Sequence, residues 1–214
     1  MYASSSSVYG VKKQENVHED MILEPLTDYS RFKANCEDIL QEYESSSFTT
    51  VILRPATVCG YAPRQRLDVV VNILTNYAFH KRNITVFGGE QLRPNIHIAD
   101  MAESYSTILK ASRELVTGET YNVGYENQSV NKLSKIVQDV VGNDVEIFRT
   151  ETDDNRSYHI SSVKIRERLG FKAKSGIRQA VVDLVKAFET GTLLNTFDDE
   201  KYFNIKRMQS LNLN

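Results

Sequence analysis

Tyr29 and Lys33 stand four positions apart in the run Asp28-Tyr29-Ser30-Arg31-Phe32-Lys33. On a helix this spacing places a phenol and an ammonium on one face, one turn from each other. A neighbouring ammonium favours the phenolate, the form that can take a proton from a hydroxyl, so the pair could serve as a general base. The spacing alone is a weak sign. It recurs at Tyr9/Lys13, Tyr77/Lys81 and Tyr202/Lys206, and a tyrosine and lysine sharing a helix surface is the plain alternative for each of them. The setting of Tyr29 is what differs: hydroxyls and a turn glycine precede it in Ser4-Ser5-Ser6-Ser7-Val8-Tyr9-Gly10, and Arg54-Pro55-Ala56-Thr57-Val58-Cys59-Gly60 follows it at the end of an apolar run.

Other chemistry is poorly supplied. Cys36 and Cys59 are the two cysteines, with no C-x-x-C, H-x-x-x-H or H-E-x-x-H pattern, which argues against a metal site or a disulfide framework and predicts a reducing, cytoplasmic setting. His97 lies in a short apolar run and reads as a core histidine; His18, His80 and His159 have no partner that sequence identifies. Lys and Arg number 26 against 28 Asp and Glu, a net charge of -2, so there is no bulk positive field to gather nucleic acid or anionic membrane. Met1-Tyr2-Ala3 leads into serines without a basic or apolar signal region, and no apolar stretch is long enough to span a bilayer.

The elements that must position these residues follow from pattern. The chain has 214 residues, 41% hydrophobic and 25% charged, the composition of a globular domain and not of a disordered, collagen-like or coiled-coil chain. Ser4–Ser7 reads as a strand end followed by a loop to Pro25. A helix is predicted from Thr27 or Asp28, with Tyr29, Phe32, Lys33, Cys36, Ile39 and Leu40 at helical spacing. The run from Phe48 to Leu53 lacks polar alternation, as a strand buried on both faces does. Further helices are predicted near 67–80, 100–115 (capped by Asp100), 130–141, 162–169 and 177–188, and strands near 84–87, 95–98, 121–123 and 145–148. The stretch from Thr192 has weak periodicity and reads as a loosely attached tail. Strands alternating with helices predict an α/β fold with a mostly parallel sheet.

The order of these pieces, with Phe87-Gly88-Gly89, Leu92-Arg93-Pro94-Asn95-Ile96-His97-Ile98-Ala99-Asp100, Tyr121-Asn122-Val123-Gly124 and Asp154-Asn155-Arg156-Ser157-Tyr158 ahead of Lys164 and Leu169-Gly170-Phe171, resembles the extended short-chain dehydrogenase/reductase family. Within it the likeness is to NAD-dependent nucleotide-sugar epimerases and dehydratases of the UDP-glucose 4-epimerase type, from Met1 to about Phe188. The resemblance implies the rear part of a Rossmann-type doubly wound sheet (1–60 and 96–124) interleaved with a smaller nucleotide-sugar domain (61–95 and 125–191), followed by a tail (192–214). It implies Tyr29 as the base and Lys33 as its partner and a contact to the nicotinamide ribose of NAD. Ser5 would hydrogen-bond the reacting sugar oxygen. Arg93 would grip the diphosphate in its guanidinium fork, with Arg66 and Arg156 as further contacts to the nucleotide sugar. Thr57, a further substrate contact on this resemblance, stands where many members have Asn.

Two departures matter. Where 4,6-dehydratases carry Asp-Glu after the catalytic hydroxyl, this chain has Ser6 and Ser7, which favours epimerisation or simple oxidation and reduction over water elimination. The ten glycines include no G-x-x-G-x-x-G or G-x-G-x-x-G turn to hold the cofactor pyrophosphate. At ~30 residues per βαβ unit, roughly 100 residues or more of the family pattern lie in front of Met1. The expectation is a C-terminal part that alone neither binds NAD tightly nor turns over. The alternatives are a nucleotide-diphosphate-binding remnant and one half of a split enzyme, with a homodimer by analogy.

Overall fold

The computed structural model describes residues 1–12, 14–152, 157 and 159–212. It opens on β1 (Tyr2–Ala3) and a 3-10 turn (Ser6–Tyr9) capped by Ser5, whose Oγ accepts from the Ser7 N–H at 3.1 Å. The serine run is therefore a strand end followed by a short helical turn, and its local hydroxyl to backbone bonds are why. Gly10 closes it at φ +70°, and a Cβ there would lie 2.1 Å from the Glu24 carbonyl oxygen. Both the backbone angle and the close approach demand glycine. Gly10→Ala is expected to destabilise the chain by roughly 1–3 kcal/mol, read as a drop in thermal midpoint.

α1 (Asp28–Glu42) begins where predicted: Thr27 Oγ1 accepts from the Ser30 N–H, and Ser30 Oγ accepts from the Thr27 N–H, a reciprocal cap. After it come β2 (Val51–Pro55) and β3 (Thr57–Cys59), α2 (Val70–Lys81), β4 (Asn83–Phe87) and β5 (Leu92–His97). β2 starts three residues later than the apolar run, because Phe48 turns back to pair with Ser45. Then follow α3 (Ile98–Lys110), α4 (Arg113–Val116), β6 (Glu119–Val123), β7 (Glu126–Ser129), α5 (Val130–Val141), β8 (Glu146–Thr150), α6 (Val163–Leu169), α7 (Ile177–Glu189), a 3-10 turn (Glu200–Tyr202) and α8 (Asn204–Ser210).

Three expectations are corrected. Asp100 does not cap α3. His97 Nδ1 accepts from the Ala99 N–H at 3.1 Å, while Asp100, inside the first turn, accepts from the Lys174 and Ser175 N–H groups. The helix also stops at Lys110 rather than Leu115. The first part of the stretch after Thr192 is not loose: Leu193, Thr196 and Tyr202 are buried, and Leu193 and Tyr202 join Leu67, Leu184, Ala187 and Phe188 in one cluster, whereas α8 beyond it has no buried residue.

The first sheet runs β1-β2-β6, all parallel, with Tyr2 beside Ile52 and Leu53 beside Tyr121. A second has β3 parallel to β5 and β5 antiparallel to β7; in a third, β4 pairs β8 in parallel. The expected α/β fold with parallel sheets is the one observed. Val8, Leu53, Ile96, Met101, Tyr121, Val123 and Ile165 pack about the first sheet. Val71, Leu74, Ile84, Leu133, Val137 and Val181 join α2, α5 and α7 to β4. Burial of this kind stabilises by about 1.5–3 kcal/mol per large apolar side chain. Among the described residues no helix is long and apolar enough to cross a membrane, and no cluster of His, Cys, Asp and Glu could hold a metal ion.

Candidate active site

Parallel strands in such folds end at a common edge, where loops gather polar groups around a crevice. Here Ser5 leaves β1, Tyr29 rises from the first turn of α1, and Thr57 and Arg66 follow β2. All four line one cavity of about 590 Å³, together with Ser4 and Tyr105. Thr57 and Val69 also line a second cavity of about 540 Å³, whose wall includes Arg93, Tyr77 and Phe87. Arg93 stands on β5 opposite Gln128 of β7 and donates from Nη1 to the Leu92 carbonyl at 3.2 Å. Arg156 lies outside the described residues.

Tyr29 is 58% exposed. The Lys33 ammonium sits 5.7 Å from its ring centroid and 5.0 Å from that of Tyr2, and donates to the Ala3 carbonyl at 2.7 Å. That last bond ties α1 to the end of β1, close to Ser5. Ser5 Oγ lies 2.8 Å from Ser7 Oγ. Because the Ser7 N–H already donates into Ser5 Oγ, the Ser5 hydroxyl hydrogen is left to point at Ser7 or at an oxygen in the cavity.

The other tyrosines with the same spacing to lysine have different settings. Tyr9 is fully buried, donates to Asn122 Oδ1 at 2.7 Å and receives Arg54 Nη1 at 2.9 Å. Burial pushes its phenol up to about 12, against the pull of Arg54. Tyr202 belongs to the third cluster, and Tyr77 lies in the wall of the second cavity. Burial also pushes the Cys59 thiol up to about 12, so it is no ready nucleophile. His97 is buried as expected, with Nε2 3.0 Å from Asp183.

A buried network that the sequence reading missed holds these parts together. Arg54 Nε and Nη2 meet the Glu37 carboxylate at 2.7–3.2 Å, and Nη1 also donates to the Glu19 carbonyl at 2.9 Å. Asn122 donates from Nδ2 to Val17 and from its backbone N–H to Glu19 Oε1. Arg54 thus connects α1, through Glu37, to the turn after Ser5, through Tyr9. The signal was available. An arginine directly after Val51-Ile52-Leu53 in a strand buried on both faces has to find an anion.

Comparisons with known proteins bear on the family and the fold. The chain is 36% identical over 145 residues to a Bacillus subtilis (strain 168) protein named uncharacterized UDP-glucose epimerase YtcB, covering 66% of this chain and 44% of that one. It is 30% identical over 142 residues to human dTDP-D-glucose 4,6-dehydratase, covering 64% and 39%. The chain therefore spans less than half the length of these two curated relatives. Among solved structures, the fold resembles RMD from Pseudomonas aeruginosa complexed with NADPH (TM-score 0.79, 20% identity, covering 89% of this chain and 66% of that one). It also resembles UDP-glucuronic acid 4-epimerase from Bacillus cereus with UDP-glucuronic acid and NAD (TM-score 0.76, 24% identity, covering 88% and 60%). The model of the NAD dependent epimerase/dehydratase family matches residues 1–124. That stretch runs from β1 through β6 and holds the Ser5/Tyr29 cavity, the Lys33 tether and the Arg54 network, and by it the chain belongs to the NAD dependent epimerase/dehydratase family.

Proposed function

We propose that this chain carries the catalytic and sugar-nucleotide-binding part of an NAD-dependent epimerase or oxidoreductase acting on a nucleotide sugar. The observation that carries the reading is the pair of cavities sharing Thr57 and Val69, one with Ser5 and Tyr29 and the other with Arg93. A sugar beside the hydroxyls and a nucleotide diphosphate towards the arginine would use both.

The residues present fit one end of the cofactor. Ser4 Oγ is buried in the wall of the Ser5 cavity without a hydrogen-bond partner among the described residues, so a ligand's polar group there would satisfy it. Tyr29 and Lys33 would contact the nicotinamide ribose beside it. No glycine-rich turn for the pyrophosphate lies among the described residues. β1, an edge strand of the first sheet, is where a dinucleotide half would add its strands.

When bound, NAD supplies hydride acceptance. The chain's own residues do the rest. Tyr29 takes the proton from the sugar hydroxyl at the carbon being oxidised and returns it on reduction. The Lys33 ammonium lends positive potential to that phenol. Ser5 donates its hydroxyl hydrogen to the reacting oxygen, oriented by Ser7. No carboxylate follows Ser5, since Ser6 and Ser7 occupy those places, which favours epimerisation or redox change over elimination.

Calorimetry on the 214-residue chain tests this. UDP-glucose is expected to bind, with Arg93→Ala weakening it about tenfold, while NAD binds too weakly to saturate at micromolar concentration. Tight NAD binding by the isolated chain, or no binding of any nucleotide sugar, would count against the reading.

A further inference from the structure

The loop from Tyr61 to Val69 gives Arg64, Gln65 and Arg66 to the wall of the Ser5/Tyr29 cavity and Asp68 to that of the Arg93 cavity. It is held from within, where Gln65 Nε2 and Asn72 Nδ2 both donate to the Arg66 carbonyl at 2.8 Å, and also from the far end of the chain. Leu67 donates its N–H to the Tyr202 carbonyl at 2.9 Å, and both side chains are buried in the third cluster. Arg64 Nη2 donates to Asn204 Oδ1 at 3.1 Å. Asp68 joins the two segments: Oδ1 accepts from Arg66 Nε at 2.9 Å and Oδ2 accepts from the Asn204 N–H at 2.8 Å.

An exposed ion pair of long side chains holds little by itself, and Arg66 is 44% exposed. Asp68 is only 23% exposed, and the backbone N–H on its second oxygen fixes the carboxylate before Arg66 meets it. With Nε committed to Asp68, the guanidinium retains its terminal amino groups for an oxygen in the cavity that Arg66 lines. A fork pre-set in this way loses less rotamer freedom when a ligand arrives.

We propose that Asp68 is a positioning residue that aims Arg66 at the sugar portion of the nucleotide sugar, and that the segment from Leu193 to Asn204 is the strap that holds Asp68. The proposal rests on Arg66 as a substrate contact. Under it, the last part of the chain sets affinity for the sugar without touching it.

Asn204 allows a clean test, because it is the first residue of α8, where proline is well tolerated. Asn204→Pro removes the N–H that Asp68 accepts, and Asn204→Ala keeps that N–H and loses only the side-chain contact to Arg64. In the 214-residue chain, Asn204→Pro is expected to weaken UDP-glucose binding about tenfold by calorimetry and to speed amide hydrogen exchange across residues 62–68. Asn204→Ala should do neither, and UDP, which lacks the sugar, should bind all variants alike. Asp68→Asn, which turns an amide N–H₂ towards one of the two donors, should reproduce the proline result and serves if the proline variant does not fold. Equal behaviour of the alanine and proline variants, or faster exchange with unchanged UDP-glucose affinity, overturns the proposal. Should the unaltered chain bind no UDP-glucose, it is the functional reading that fails, and unchanged exchange in Asn204→Pro would then still show the strap to be absent.

Discussion

Tyr29→Phe is expected to lower NAD-dependent turnover of a UDP-sugar by about a hundred- to ten-thousandfold, with UDP-glucose affinity changed by less than about threefold. The substitution removes one oxygen from a ring that is 58% exposed, so packing and stability should hardly move. Neither Tyr9 nor Tyr2 can readily replace it. Tyr9 is fully buried and bonded to Asn122 and Arg54, and burial raises the Tyr2 phenol well above its ordinary range. The loss should appear in kcat, because the proton moves only as the sugar carbon is oxidised. The assay joins the 214-residue chain to a dinucleotide-binding half that carries a glycine-rich turn and follows NADH and epimer formation. A phenylalanine variant that turns over at the unaltered rate would place the base elsewhere. Lys33→Met, which also cuts the bond to the Ala3 carbonyl, should fall in the same direction.

Arg54→Ala is expected to cost about 3–5 kcal/mol of folding stability, because it strands the Glu37 carboxylate in the interior. Arg54 is 6% and Glu37 2% exposed, and Tyr9 and the Glu19 carbonyl lose a donor in the same step. Urea unfolding followed by circular dichroism reads the shift. The double variant Arg54→Met with Glu37→Leu should regain most of the loss, since removing both charges together leaves neither unpaired. A single variant within about 1 kcal/mol of the parent would mean that water reaches Glu37.

The parts of the fold that were legible in the sequence are those whose stability is written locally. α1 carries its own cap at Thr27 and Ser30, and α5, Val130–Val141, has apolar residues on one face and ends at Gly142. β7 was not legible: Glu126-Asn127-Gln128-Ser129 has no apolar residue, and it is a strand only because β5 offers an antiparallel partner. The same holds for the segment after Thr192, where Leu193, Thr196 and Tyr202 are buried at irregular spacing. Of the candidate site, Ser5, Tyr29, Thr57 and Arg66 reach one cavity and Arg93 the adjoining one; the order of the motifs along the chain carried that expectation, not any local pattern. Lys33 points instead to the Ala3 carbonyl. Asp68 had no local signature at all, since its second partner lies 136 positions away.

The central place of β2 in the first sheet bears on how the chain is made. On one side Val51–Pro55 has only the two residues of β1, and its full-length partner, β6, is synthesised roughly 70 residues later. Until Glu119–Val123 leaves the ribosome, one edge of an apolar strand stays open, with Arg54 already in it. Helix α2 and strand β4 are neighbours in sequence and can gather sooner, whereas α5 follows β6 in the chain. Pairing of β2 with β6 is a non-local step that has to wait for residue 123, and until then the nascent chain exposes an open apolar edge.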